Sequence, residues 1–114
     1  VVVKNCNISN FNSGIYLFQS NGSKIVNNSV FDNYASGIRL TFCQETELVN
    51  NSVFNNVQLG IYLEYVIDSV FGSNTACNNG LNDVYCSTTF LQDAGSNVCT
   101  VSGSCTELTC NSCS

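Results

Sequence analysis

The sequence predicts an all-β solenoid: a right-handed parallel β-helix of about four to five coils, each of roughly 23 residues, followed by a disulfide-rich C-terminal segment. Three observations carry the expectation. Gly14, Gly37 and Gly60 recur at one constant interval, and Asp83 falls on the next step. Asparagines keep the same spacing, in one column of Asn5, Asn28, Asn51 and Asn74 and in a second of Asn10, Asn33, Asn56 and Asn79. The apolar words GIYL, GIRL, GIYL and the worn DVYC follow in step. A period in the low twenties with one polar residue type held in register marks a solenoid in which each repeat is one turn.

The strands follow from local alternation. Ile15/Leu17, Ile38/Leu40 and Ile61/Leu63 put two apolar side chains on one face, with Tyr16, Arg39 and Tyr62 on the other. No apolar set recurs at helical spacing, and Val, Ile, Phe, Tyr and Thr favour strands. Read down the columns, Ile15, Ile38, Ile61 and Val84 stack, as do Leu17, Leu40, Leu63 and Cys86. A third column is expected from Val2, Ile25, Leu48 and Phe71, and a fourth from Ile8, Phe31, Phe54 and Cys77. Such columns build an apolar shaft that no single repeat could bury. The asparagines are expected at corners, where they tolerate left-handed backbone and their carboxamides bond from coil to coil. The glycines are expected to supply another corner.

Residues 1–89 are expected to form the coils, and residues 90–114 a degraded last coil and a cysteine-rich cap or contact segment. Asn97 still falls on the first asparagine column, one period after Asn74. The eight cysteines, Cys6, Cys43, Cys77, Cys86, Cys99, Cys105, Cys110 and Cys113, are an even number in a short chain without histidine, so disulfides are expected over zinc. Disulfides imply an oxidising, extracellular or cell-surface setting. Their connectivity stays open, although Cys77 and Cys99, nearly one coil apart, are placed to bridge adjacent layers. Asn7, Asn21, Asn27 and Asn50 each begin an N-x-S triplet and are candidate glycosylation sites.

A net charge of −5 with only Lys4, Lys24 and Arg39 as bases leaves no basic patch, which argues against nucleic acid. No apolar run is long enough to span a bilayer. Chemistry is sparse as well. Glu45 and Asp68 share a column, at the separation of a retaining glycosidase pair, yet they read more simply as two solvated acids. Arg39 lies between Tyr16 and Tyr62, where stacking on aromatic faces accounts for it. Calcium on Glu45, Glu47, Glu64 or Asp68 would want six to eight oxygens, more than the pattern supplies. No catalytic residue, metal or cofactor is therefore expected. Tyr16, Tyr62 and Tyr85 form an outward ladder that could serve as a sugar platform or simply brace the sheet.

The stretches IVNNSVFDNYASGIRL and LVNNSVFNNVQLGIYL resemble the right-handed parallel β-helix repeat. That repeat is found in pectate-lyase-like and carbohydrate-binding secreted proteins, archaeal cell-surface proteins and periplasmic accessory proteins of nitrous oxide reductase. The resemblance covers residues 1–88 and implies the right-handed winding, but it carries no catalytic group. The pattern starts at once with VVVK, which leaves no room for an N-terminal cap, and a bare parallel edge templates another chain. The leading expectation is a structural subunit of an extracellular filament or surface assembly, stacked head to tail, with Cys6 as a candidate link between subunits. A carbohydrate-binding module, or part of a larger surface protein, is the alternative, and a polysaccharide lyase or hydrolase the third.

Overall fold

A computed structural model describes residues 1–103 and 105–113; Ser104 and Ser114 of the expected cap lie outside the described residues. The chain winds as an all-β parallel solenoid of about four turns, with three strand faces per turn and no helix among the described residues. Coil 1 contains β1 (Val2–Lys4), β2 (Asn7–Ser9) and β3 (Ile15–Phe18). Coil 2 contains β4 (Lys24–Val26), β5 (Ser29–Phe31) and β6 (Ile38–Gln44). Coil 3 starts with β7 (Glu47–Val49) and β8 (Ser52–Phe54) and continues into β9 (Leu59–Gly72). β9 is long enough to turn a corner, pairing with β6 on one face and with β7 on the next. β10 (Thr75–Cys77) and β11 (Asn82–Gly95) repeat this layout one layer up. β12 (Asn97–Cys99), β13 (Val101–Gly103) and β14 (Cys110–Asn111) close the stack.

The spacing tightens toward the end. Ile61 pairs with Val84 at the regular period, but Val84 pairs with Val101, and Asn97 with Cys110, both well short of that period. The winding narrows as the tail draws in over the core. Cys105 and Leu108 are buried there and fill the end of the shaft.

Two of the four expected core columns, those headed by Ile15 and Leu17, form as read. In the other two the coil-1 member is displaced by one position, while Ile25, Leu48 and Phe71 stack as read and Phe31, Phe54 and Cys77 share a column that faces outward. Val3, not Val2, lies under Ile25, and Ile8 lies under Val30 rather than under Phe31. The inward set on that face is Ile8, Val30, Val53, Ala76 and Cys99. Phe31 and Phe54 point outward and stack face to face, with centroids 5.1 Å apart. The cause is a single missing residue in coil 1. Phe11 N–H bonds Asn33 Oδ1, a separation of 22, whereas Gly14 N–H bonds Ser36 O, in phase with Gly37. The deletion therefore lies between Phe11 and Gly14. Because side chains alternate along a strand, a slip of one position exchanges inside for outside.

The same slip moves the asparagines of coil 1. Cys6 takes the place expected for Asn5, below Asn28, Asn51, Asn74 and Asn97, and Phe11 takes that of Asn10, below Asn33, Asn56 and Asn79. The buried asparagines do not make the left-handed corners. The residues before them do, with φ of 59° at Asn5, 60° at Asn27 and 59° at Asn50, and again at Asn10, Asp32, Asn55 and Asn78. Each buried carboxamide instead accepts a backbone N–H from the coil below, and Asn51, Asn56, Asn74 and Asn79 accept a side-chain N–H as well. Asn28 N–H and Nδ2 both bond Asn51 Oδ1 at 3.0 Å, and Asn51 does the same with Asn74 Oδ1.

Both ladders end on an aspartate. Asp83 Oδ1 accepts from Asn79 N–H and Nδ2 at 3.1 and 3.0 Å, and Asp93 Oδ1 accepts from Asn97 Nδ2 at 2.9 Å. A carboxylate supplies the acceptor that a further asparagine would have offered. Gly14, Gly37 and Gly60 are not left-handed corners either. A Cβ at Gly37 would lie 2.6 Å from Val53 Cγ1 and 2.7 Å from Asn56 Nδ2, so the ladder above leaves room for hydrogen only. Asp83 follows in the same column, where its own carboxylate replaces the next asparagine.

Candidate interaction surfaces

One outward column of the face that holds β3 and β6 contains Tyr16, Arg39, Tyr62 and Tyr85, paired in register. The Arg39 guanidinium carbon lies 4.9 Å from the Tyr16 centroid and 5.2 Å from that of Tyr62. Tyr62 and Tyr85 meet edge to face at 5.5 Å. The tyrosine ladder is thus in register, but Arg39 occupies the space between its first two rings. Arg39 Nε is buried without a hydrogen-bond partner, and the two ring contacts offset that cost. Arg39→Ala is expected to lower stability by about 1–2 kcal/mol through loss of both contacts, with Arg39→Lys recovering part of it; urea unfolding of the three chains is the check.

A second column at the same spacing holds Gln19, Phe42, Tyr65 and Thr88. All four are left-handed, with φ of 53°, 54°, 51° and 58°, a conformation costing roughly 1–2 kcal/mol in residues other than glycine. Phe42 and Tyr65 are about half exposed and stack at 5.0 Å, and Phe18 meets Phe42 edge to face at 5.9 Å. Beside them runs an open groove of about 390 Å³, bounded by Gln19, Asn21, Gln44 and Ile67 as well as the two rings.

Glu45 and Asp68 stand at one corner, both exposed and left-handed, as their shared column implies. Among the described residues no group of three or more His, Cys, Asp or Glu is placed to hold a metal ion. The four N-x-S asparagines, Asn7, Asn21, Asn27 and Asn50, lie on the outside of the coils. Asn50 Nδ2 donates to Asn27 Oδ1 at 3.1 Å, and Asn27 Nδ2 to Asn5 Oδ1 at 2.7 Å, so these form an outer ridge.

The cysteines pair as Cys77–Cys113, Cys86–Cys105 and Cys99–Cys110. The Cys77–Cys99 bridge suggested by the spacing is not made. Cys77 faces outward and Cys99 inward, which follows from the shifted column described above. Cys43 is a buried free thiol bonded to Leu17 O and Thr41 O, and Cys6 is an exposed one bonded to Lys4 O. Every bridge ties the segment after β13 to a coil beneath it.

The two ends of the stack differ. Among the described residues β1, β2 and β3 pair with β4, β5 and β6 of the coil above. All three bases, Lys4 on β1, Lys24 on β4 and Arg39 on β6, lie in the first two coils, and every charged side chain after Arg39 is acidic. Charge is therefore uneven along the axis, with the bases in the first two coils and Asp83, Asp93 and Glu107 in the last ones.

A family model described as a right-handed beta helix region matches residues 1–113. The chain belongs to the right-handed β-helix family. No curated protein and no solved structure gave a significant match. Membership settles the hand of the winding and leaves the chemistry open, because the motif of a β-helix encodes corners and core. No helix of this β-helix, among the described residues, is long and apolar enough to cross a membrane. Its three disulfides suit an oxidising environment.

Proposed function

We propose that this β-helix is a structural unit of an extracellular surface assembly, in which the first coil of one copy stacks on the C-terminal end of the next. The observation that carries the reading is the complementarity of the ends. Lys4 and Lys24 lie on the first two coils, and Asp83, Asp93 and Glu107 on the last ones. Head-to-tail stacking joins opposite charges, whereas head-to-head stacking joins like ones. Light scattering on the 114-residue chain is expected to show association that grows with concentration and weakens with added salt. A monomer persisting at high concentration and low ionic strength would sink the proposal.

A second reading rests on the groove beside Phe42 and Tyr65, whose rim carries the carboxamides of Gln19, Asn21 and Gln44. Such groups bind neutral sugar hydroxyls, and a glycan array tests this. Silence across neutral glycans would remove it. Neither reading assigns a catalytic step to the chain, and a calcium-dependent uronide-cleavage assay checks that point.

A further inference from the structure

The chain holds two asparagine-glycine pairs, Asn21-Gly22 and Asn79-Gly80, in opposite surroundings. In such a pair the glycine nitrogen can reach back to the preceding carboxamide, because no Cβ obstructs it. What holds the two residues decides whether it does. Asn79 is fixed on every side. Its Nδ2 donates to Val53 O, Cys77 O and Asp83 Oδ1 at 3.2, 3.3 and 3.0 Å, and its Oδ1 accepts Asn56 N–H and Nδ2. Gly80 N–H bonds Asn56 O at 2.9 Å, and a Cβ at Gly80 would run into Val57 O, so this peptide is wedged against the coil below.

Asn21 and Gly22 stand at the opposite extreme. Asn21 lies on the rim of the groove beside Phe42 and Tyr65, and its carboxamide has no hydrogen-bond partner among the described residues. Gly22 turns the corner with a φ of +71° and nothing within 4 Å of an added Cβ. The open space belongs to the corner itself, since Glu45 and Asp68, at the same step of the next two coils, are also left-handed and exposed. One isolated bridge to Gln44 restrains the peptide: Gly22 N–H bonds Gln44 O at 3.0 Å, and Gln44 N–H reaches Ser20 O at 3.4 Å. Releasing the first of these bonds frees the Gly22 nitrogen to turn.

We infer that Asn21-Gly22 is a self-modifying site that turns the neutral rim of the groove acidic. Gly22 N, deprotonated by hydroxide, attacks Asn21 Cγ. The new N–C bond closes a succinimide ring as the Cγ–Nδ2 bond breaks, and Nδ2 takes a proton from water and leaves as ammonia. Water then adds to either ring carbonyl and breaks its bond to the nitrogen. The product is aspartate or, with the chain rerouted through the side chain, isoaspartate. Water is the co-reactant, and nothing is oxidised or reduced. The new carboxylate is ionised at neutral pH; it stands beside Gln19 and Gln44 and removes the N-x-S acceptor at Asn21. The isoaspartate form also lengthens the backbone by a methylene at the bridge to Gln44. The chemistry needs neither a second copy nor a sugar, so it stands or falls apart from both functions proposed above.

The test incubates the disulfide-bonded, unglycosylated chain at mildly alkaline pH and follows the peptides around Asn21 and Asn79 by mass spectrometry. Ion exchange reads the added charge, isoaspartyl methyltransferase labels the rerouted product, and Asn21→Asp supplies the aspartate standard. In the folded chain Asn21 is expected to convert at least about tenfold faster than Asn79, into aspartate and isoaspartate together. In the reduced chain unfolded in guanidinium the two are expected to convert at comparable rates, because the fold and not the local sequence separates them. Gly22→Ala is expected to slow Asn21 and leave Asn79 unchanged. Equal rates in the folded chain, a faster Asn79, or an unchanged Asn21 rate in Gly22→Ala would overturn the inference. Aspartate without isoaspartate would mean direct hydrolysis in place of ring closure and would overturn it as well.

Discussion

Asn51→Leu is expected to lose about 3–5 kcal/mol of stability, because two buried donors are stranded at about 1–3 kcal/mol each and a branched side chain is forced into a closed corner. Asn51 is 1% exposed and stands at the middle of its ladder. Its Oδ1 accepts Asn28 N–H and Nδ2 at 3.0 Å, and its Nδ2 reaches Ile25 O, Val49 O and Asn74 Oδ1 at 2.9, 3.2 and 3.0 Å. Leucine branches at the same carbon but is larger and offers none of these bonds, and the ladder gives the Asn28 backbone N–H no acceptor besides Asn51 Oδ1. The neighbouring Asn50 supplies the contrast. It is exposed, its φ of 59° suits glycine, and its one ladder bond faces solvent. Asn50→Gly is expected to stay within about 0.5 kcal/mol of the parent. Guanidinium unfolding of the three chains decides the matter. Equal losses at both positions would mean that the inner ladder carries no special weight.

Gly37→Ala is the second large effect, expected at about 3 kcal/mol. The added carbon would lie 2.6 Å from Val53 Cγ1, 2.7 Å from Asn56 Nδ2 and 2.8 Å from Gly60 O. A side-chain methyl can rotate away, but Gly60 O belongs to the backbone of the next coil and Asn56 is fixed by its own rungs. Relief therefore has to come from parting the layers. Gly22→Ala tests the opposite case, since Gly22 has a φ of +71° and nothing within 4 Å of the added carbon. Its cost is conformational only, about 1 kcal/mol. If the two alanine variants unfold at the same denaturant concentration, close approach at Gly37 is not the reason for glycine there.

The winding is legible in the sequence because a repeat period is a global property that survives local wear. Glycine spacing, asparagine spacing and the recurrent Ile-x-Leu words all report it. What the period cannot report is parity. One residue lost between Phe11 and Gly14 leaves the glycine anchors in step and flips the reading of everything before them. Spacing alone therefore sends Val2, Asn5 and Asn10 to columns that Val3, Cys6 and Phe11 occupy. Phe31 and Phe54 mislead for a related reason. Hydrophobicity alone favours burying the larger side chain, whereas these short strands bury only their middle residue, Val30 or Val53. The disulfides are illegible because the tail leaves the period, so spacing no longer measures height along the axis. The Arg39 sandwich, by contrast, is readable outright from three residues at one register. The Phe42 and Tyr65 column keeps the same spacing but gives no comparable signal, because its members share no chemistry.

The two aspartates that finish the asparagine ladders also act as a ruler. Between them and the first coil, every rung repeats one bond, backbone N–H to the Oδ1 above, so a duplicated unit inserted after Asn50 would pass the pattern along and lengthen the rod by one strand spacing, about 4.8 Å. An asparagine unit added beyond Asp83 and Asp93 would find the terminal amides already donating to carboxylates, so the asparagine ladders themselves stop there. The reach of each ladder is thus written in the placement of one acidic residue, and whole repeats are interchangeable only in the interior.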